Sequence, residues 1–280
     1  MTSKQNCNRN IIHFSGFEIE SEDRFGFDPD DYSKFKYGAS NIARKFGYEL
    51  ADRFIKECFS KTYDGTPLVI VPSAYSHIPT ASFCMKKFFV DKLNDYLFRN
   101  NFPITGETKI YRSVTYREDY GEMSADDRYK LISGDSFHMD KEYVRGKRLL
   151  FLDDIKITGT HERIILKMLD ELEIYNDCYM LYFAELVNSG VSPTIENYLN
   201  NFYVKSLAEV DSIIRNEVFV FNTRVVKFIL NSRPEEFDLF LEKQNIDFVR
   251  ELYYNAIGNE YFKFSSYLRN LKVLETIVAK

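Results

Sequence analysis

Cysteine is scarce and scattered in this 280-residue chain, where Cys7, Cys58, Cys84 and Cys178 are the four present and none forms a C-x-x-C pair. That spacing suggests neither a zinc knuckle nor a disulfide framework and leaves free thiols in a reducing compartment as the simpler reading. Glycine and proline are also few, at 12 and 7 residues, which excludes a collagenous or linker-dominated chain. Basic residues are not in excess: 37 Lys and Arg stand against 42 Asp and Glu, a formal charge of −5. The balance argues against broad electrostatic capture of duplex nucleic acid or of an anionic membrane. No apolar run approaches the roughly 20 residues that span a bilayer, and the polar opening MTSKQNCNRN lacks the core of a signal peptide. His13, His77 and His138 show no metal-ligand spacing. These absences describe a soluble cytoplasmic protein with no nucleic-acid and no membrane partner.

Aromatic residues are abundant, with 25 Phe and 20 Tyr in a chain that is 45% hydrophobic, so a sizeable core is available. Residues 1–31 are polar and acidic and read as an irregular arm. From Tyr32 to Phe59 apolar residues recur at helical spacing, with a helix from about Ser40. Leu68 to Val71 is a short continuous apolar run of the kind a strand buried on both faces shows, and Pro72 stops it. A helix over 80–99 and a strand near 109–115 follow. Residues 116–140, rich in charge and tyrosine, read as a long excursion. Leu149 to Leu152 is a strand, a helix runs from His161, and Cys178 to Val187 is another strand. The alternation predicts an α/β fold, a mostly parallel twisted sheet flanked by helices over 32–200, with a helical C-terminal unit over 201–280.

The stretch Leu149 to His161 carries the chemistry. Asp153 and Asp154 sit where a buried strand emerges, just before Thr158-Gly159-Thr160 opens a helix. In open α/β sheets that edge is where ligands bind. The small-residue turn aims backbone N–H groups into a concavity that suits a phosphate, while the acids accept hydrogen bonds from sugar hydroxyls. Together they fit a sugar bearing a phosphate.

This stretch resembles the signature of the type I phosphoribosyltransferases: a buried strand, two acids, three variable residues (here Ile155-Lys156-Ile157) and a Thr/Gly-rich loop opening a helix. The resemblance implies that Asp153 and Asp154 hold the ribose hydroxyls of phosphoribosyl pyrophosphate and that Thr158, Gly159 and Thr160 bind its 5′-phosphate. It places the pyrophosphate loop at Pro72 to Ser76, with Ser73, Ala74 and Tyr75 lining it, and a mobile flap at 116–140 with Arg112, Arg117 and Arg128 as its candidate cations. Lys36-Tyr37-Gly38 and the Thr-Gly-Thr-His-Glu run are similar to the phosphoribosyltransferase-like proteins of bacterial tellurite-resistance and stress gene clusters. Three departures matter. The first loop threonine of many members is Ile157 here, the last is His161, and the pyrophosphate-loop segment has no glycine.

By the same resemblance the reaction is Mg²⁺-dependent transfer of a phosphoribosyl group to a nitrogenous, nucleobase-like acceptor, with release of pyrophosphate. The metal is held mainly by the substrate's own oxygens. The alternatives are a non-catalytic sensor of a phosphoribosyl ligand and an assembly protein on the same fold. A homodimer is compatible with each. Lys156 and His161 join the candidate ligand contacts, although a solvated loop lysine and a first-turn histidine with no ligand role are equally good readings. Ser73 could equally cap the next helix.

Overall fold

The structure, a computed structural model, describes residues 9–112 and 137–280. A five-stranded sheet organises them, in the order β1-β7-β6-β2-β3. Its strands are β1 (Ile11–Ile19), β2 (Leu68–Pro72), β3 (Gly106–Glu107), β6 (Arg148–Lys156) and β7 (Cys178–Leu186). Every neighbouring pair runs parallel. A separate antiparallel pair, β4 (Tyr111–Arg112) and β5 (Phe137–His138), brings the two ends of the excursion together.

The central strands are buried on both faces, which is why β2 and the start of β6 read as unbroken apolar runs. Period-two alternation then sorts them. Leu68, Ile70, Leu150, Leu152, Tyr179 and Leu181 face one core, while Val69, Val71, Leu149, Phe151, Cys178 and Met180 face the other. The first core is the larger and is covered by α1 (Pro29–Lys36), α2 (Ser40–Phe54) and α3 (Ala81–Arg99). On the other face lie α4 (Lys141–Val144) and α5 (Thr160–Glu171), with Met168 and Leu169 of α5 among its buried residues.

Six helices follow β7: α6 (Ile195–Asn200), α7 (Leu207–Asn216), α8 (Thr223–Leu230), α9 (Pro234–Leu241), α10 (Ile246–Gly258) and α11 (Ser265–Val278). Their apolar residues join the larger core. A short backbone splice fastens this unit to the α1–α2 junction: Ser40 N–H donates to Val218 O at 2.8 Å, and Val220 N–H to Gly38 O at 2.9 Å. Gly38 sits there at φ +99, and a Cβ on it would stand 2.6 Å from Val220 O. Among the described residues no helix is long and apolar enough to cross a membrane.

Two expectations are corrected. Residues 11–19, read as part of an irregular arm, form edge strand β1. His13, Ser15, Gly16 and Glu18 interrupt the apolar run that marks the buried strands. The strand expected near 109–115 is displaced: Gly106 and Glu107 pair with Val69 and Ile70, and Tyr111–Arg112 belongs to the separate pair. Residues 113–136 lie outside the described residues, and with them most of the expected flap, Arg117 and Arg128. Cys7 and the side chain of Arg112 lie outside them too.

The splice yields a test. Gly38→Ala is expected to cost about 2–4 kcal/mol, combining left-handed backbone strain with displacement of a carbonyl. Urea unfolding measures it, and an unchanged midpoint would contradict the role given to the splice.

Candidate active site

Strand β6 carries Asp153 and Asp154 to the C-terminal edge of the sheet, and alternation turns them to opposite faces. Asp154 follows Leu150 and Leu152 toward α1. It is buried, and its Oδ2 accepts from Tyr32 Oη at 2.6 Å and from Lys36 Nζ. Burial foremost, and the Asp154 charge next, push the Tyr32 phenol well above its ordinary range, so it donates as a neutral hydroxyl. Asp153 follows Leu149 and Phe151 toward α5, where His161 Nδ1 lies 2.5 Å from its Oδ2. Burial alone would raise the Asp153 carboxyl, but the His161 charge and hydrogen bond outweigh it and hold the group at about 2.

The loop between β6 and α5 turns at Gly159, which caps the helix at φ +66, a conformation that costs glycine nothing. Arg163 N–H donates to Gly159 O at 3.0 Å and starts the helical ladder. The amides of Thr160, His161 and Glu162 thus have no acceptor within the helix. Thr158 Oγ1 and Thr160 Oγ1 are 2.9 Å apart, and Arg163 donates to Thr160 Oγ1 at 3.0 Å. These groups give an anion site of backbone donors, two hydroxyls and the positive end of a helix.

Acids and loop open into one cleft of about 270 Å³, of small-molecule scale. Ser73 and Ala74, after β2, line it. Tyr75 does not. Its ring packs edge-on against Phe83 at 5.1 Å, with Lys109 Nζ 4.1 Å from its centroid. Lys156 reaches the cleft wall but bridges Glu162 and Glu185, each at 3.1 Å. Glu162 also meets His13 Nε2 at 2.7 Å and accepts from Tyr182 Oη at 2.9 Å. Burial favours its neutral form, but these partners hold its carboxyl below the usual range. His161, offered as a phosphate contact, has its ring on Asp153.

Sequence reasoning missed the far wall. Lys36, Glu196, Thr223, Arg224 and Lys227 all line the cleft. The last three belong to α8, where charged residues flanking Val225 and Val226 look like any solvated helix face. Lys36 stood in a tripeptide already singled out, yet only the fold brings it to Asp154.

A family model described as PRTase ComF-like matches residues 12–274. The chain belongs to the PRTase ComF-like family. The match names this phosphoribosyltransferase family and not the tellurite-resistance subgroup. Similar solved structures include a hypoxanthine phosphoribosyltransferase from Staphylococcus aureus, at 14% identity over 53% of this chain and 75% of that one, with a TM-score of 0.32. An adenine phosphoribosyltransferase matches at 13% identity, 50% and 70% coverage and a TM-score of 0.30. The L. donovani hypoxanthine-guanine phosphoribosyltransferase matches at 13% identity, 52% and 72% coverage and a TM-score of 0.29. No curated protein matches.

Two outcomes follow for this PRTase ComF-like site. Lys36→Met leaves Asp154 buried without its cation and is expected to cost about 3–5 kcal/mol; adding Asp154→Leu should recover most of it. Urea unfolding reads both, and a loss below about 1 kcal/mol in the single variant would contradict the pairing. Because Asp153 has a depressed carboxyl, its contribution to stability is complete above the unfolded value of about 3.9 and is lost as pH falls through the folded value. His161→Gln should therefore make Asp153 titrate at higher pH by carbon-13 NMR and bring acid unfolding on earlier. An unmoved titration would remove His161 from the account.

Proposed function

We propose that the cleft binds phosphoribosyl pyrophosphate and transfers its phosphoribosyl group to a nitrogenous acceptor. The observation that supports this reading is one cleft holding both the Asp153–Asp154 pair and the Thr158–Thr160 anion loop, in a chain of a phosphoribosyltransferase family. The loop amides and threonine hydroxyls take the 5′-phosphate. Asp153 and Asp154 accept from the ribose hydroxyls. Ser73 and Ala74 border the diphosphate. The C1′–O bond breaks with its electron pair leaving on pyrophosphate, the acceptor nitrogen bonds to C1′, and the acceptor's proton passes to solvent. As positive charge develops on the ring, the carboxylates beneath it stabilise that charge more than they stabilise the ground state.

Among the described residues no three His, Cys, Asp or Glu side chains gather into a metal cage. Two carboxylates beside a diphosphate fit Mg²⁺ instead, which keeps its waters and binds largely through phosphate oxygens. When bound, the ion neutralises the leaving group. A non-catalytic phosphoribosyl-ligand sensor is the second reading, favoured by the protein side chains, Lys36 and His161, that already engage both acids.

Incubation with phosphoribosyl pyrophosphate, Mg²⁺ and a panel of nitrogenous bases is expected to release pyrophosphate. Calorimetry should show binding weakened at least about tenfold in Asp153→Asn, as loss of a charge-assisted hydrogen bond requires. Tight binding with no release under any acceptor would select the sensor. Unaltered binding in the variant would place the ligand elsewhere.

A further inference from the structure

The loop from Ser73 to Ile78 lies between Pro72 and Pro79 and meets the cleft at both ends, through Ser73 and Ala74 on one side and Thr80, Ala81 and Ser82 on the other. None of its residues takes a positive φ, so its shape does not call on the glycine it lacks. That shape is set from outside. Asn259, at the end of α10, is buried, and its Oδ1 accepts from two successive amides of the loop, His77 N–H at 2.9 Å and Ile78 N–H at 3.0 Å. The next residue, Pro79, accepts at its carbonyl from Thr223 N–H of α8 at 3.0 Å.

The clamp is itself supported. Both loop groups are donors, so only the carbonyl end of the Asn259 amide can serve them, and its Nδ2 donates instead to Tyr261 Oη at 3.0 Å. Tyr261 is fully buried, and burial pushes its phenol up, which keeps it a neutral hydroxyl. Glu260, between the two, turns through φ +58, a left-handed conformation that a residue with a side chain adopts at a cost. Gly258 lies where any Cβ would overlap the His77 ring. The run Gly258 to Tyr261 is thus shaped to receive one short segment of a loop that is 181 and 182 residues away in the chain.

A loop already ordered in the free protein spares its ligand the entropy of ordering it. We infer that Asn259 is a positioning residue for the diphosphate, presetting through the His77 and Ile78 amides the loop on which the leaving group rests. This inference rests on the phosphoribosyl reading above, in which Ser73 and Ala74 border the diphosphate, and it gives the C-terminal helices a part in binding. A clamp that served only to seat α10 would change stability without choosing between ligands of the cleft, and the test separates the two.

Calorimetry in Mg²⁺ would compare the wild type, Asn259→Ala and Asn259→Asp, each shown folded by circular dichroism. The ligands are phosphoribosyl pyrophosphate and ribose 5-phosphate, which has the same 5′-phosphate and no diphosphate. The wild type is expected to bind phosphoribosyl pyrophosphate more tightly. Asn259→Ala should weaken that ligand by about tenfold or more and leave ribose 5-phosphate within about twofold. Asn259→Asp keeps an acceptor for both amides and should return phosphoribosyl pyrophosphate to within about threefold of the wild type. Should Asn259→Ala unfold, Tyr261→Phe removes only the hydroxyl that orients the amide, and a selective loss of about threefold or more is expected from it. Unchanged binding of phosphoribosyl pyrophosphate, equal weakening of both ligands, or no recovery in Asn259→Asp overturns the inference and leaves the phosphoribosyl reading standing. A wild type that binds phosphoribosyl pyrophosphate no more tightly than ribose 5-phosphate overturns it too. Failure of the wild type to bind either ligand overturns the reading beneath, and with it the inference.

Discussion

Two carboxylates on consecutive residues at the end of a buried strand repel each other in a medium that screens poorly, and the fold tolerates them because each has its own countercharge on its own side of the sheet. Lys36 and Tyr32 serve Asp154 from α1, and His161 serves Asp153 from α5. The separation comes directly from strand geometry, since adjacent residues of β6 cannot face the same way. Much of the architecture can be understood as what it takes to deliver those groups. The Asp154 partners come from 118 and 122 residues away, so the site assembles only when α1 docks on the sheet.

That docking in turn depends on the C-terminal helices. The Gly38–Val220 splice and the Asn222 bond to Lys36 O set the end of α1, and the same segment launches α8 across the cleft. A unit that from sequence alone is only a helical appendage thus positions a site residue and supplies a wall of the site. The cost of moving any of these parts falls on the buried ion pair, because a charge in that position has little water to turn to.

The contiguous part of this arrangement is legible in the sequence. An apolar run, two acids, three spacers and a small-residue turn fall within one strand-loop-helix, so Asp153, Asp154 and Thr158 to Thr160 can be read directly. The buried strands β2, β6 and β7 are equally plain, because burial on both faces removes polar residues. What escapes is set by contacts distant in sequence or by weak local signal. Edge strand β1 mixes His13, Ser15 and Glu18 into its apolar pattern. Strand β3 is two residues long, and Glu107 in it serves to hold the buried Lys86 at 2.7 Å. Tyr75, within the segment expected to form the pyrophosphate loop, is not among the residues lining the cleft, and its ring packs against Phe83. Arg224 and Lys227 carry no local mark at all.

The central claim is that a furanose lies across the end of β6 with its phosphate on the loop beside Asp153. A crystal structure of the protein with phosphoribosyl pyrophosphate and Mg²⁺ measures this most directly. The account predicts the 5′-phosphate on the amides of Gly159 to His161 and the ribose hydroxyls within hydrogen-bond distance of Asp153. A sugar lying in the opposite sense, with its 5′-phosphate against Arg224, or a ligand seated away from β6, would contradict it.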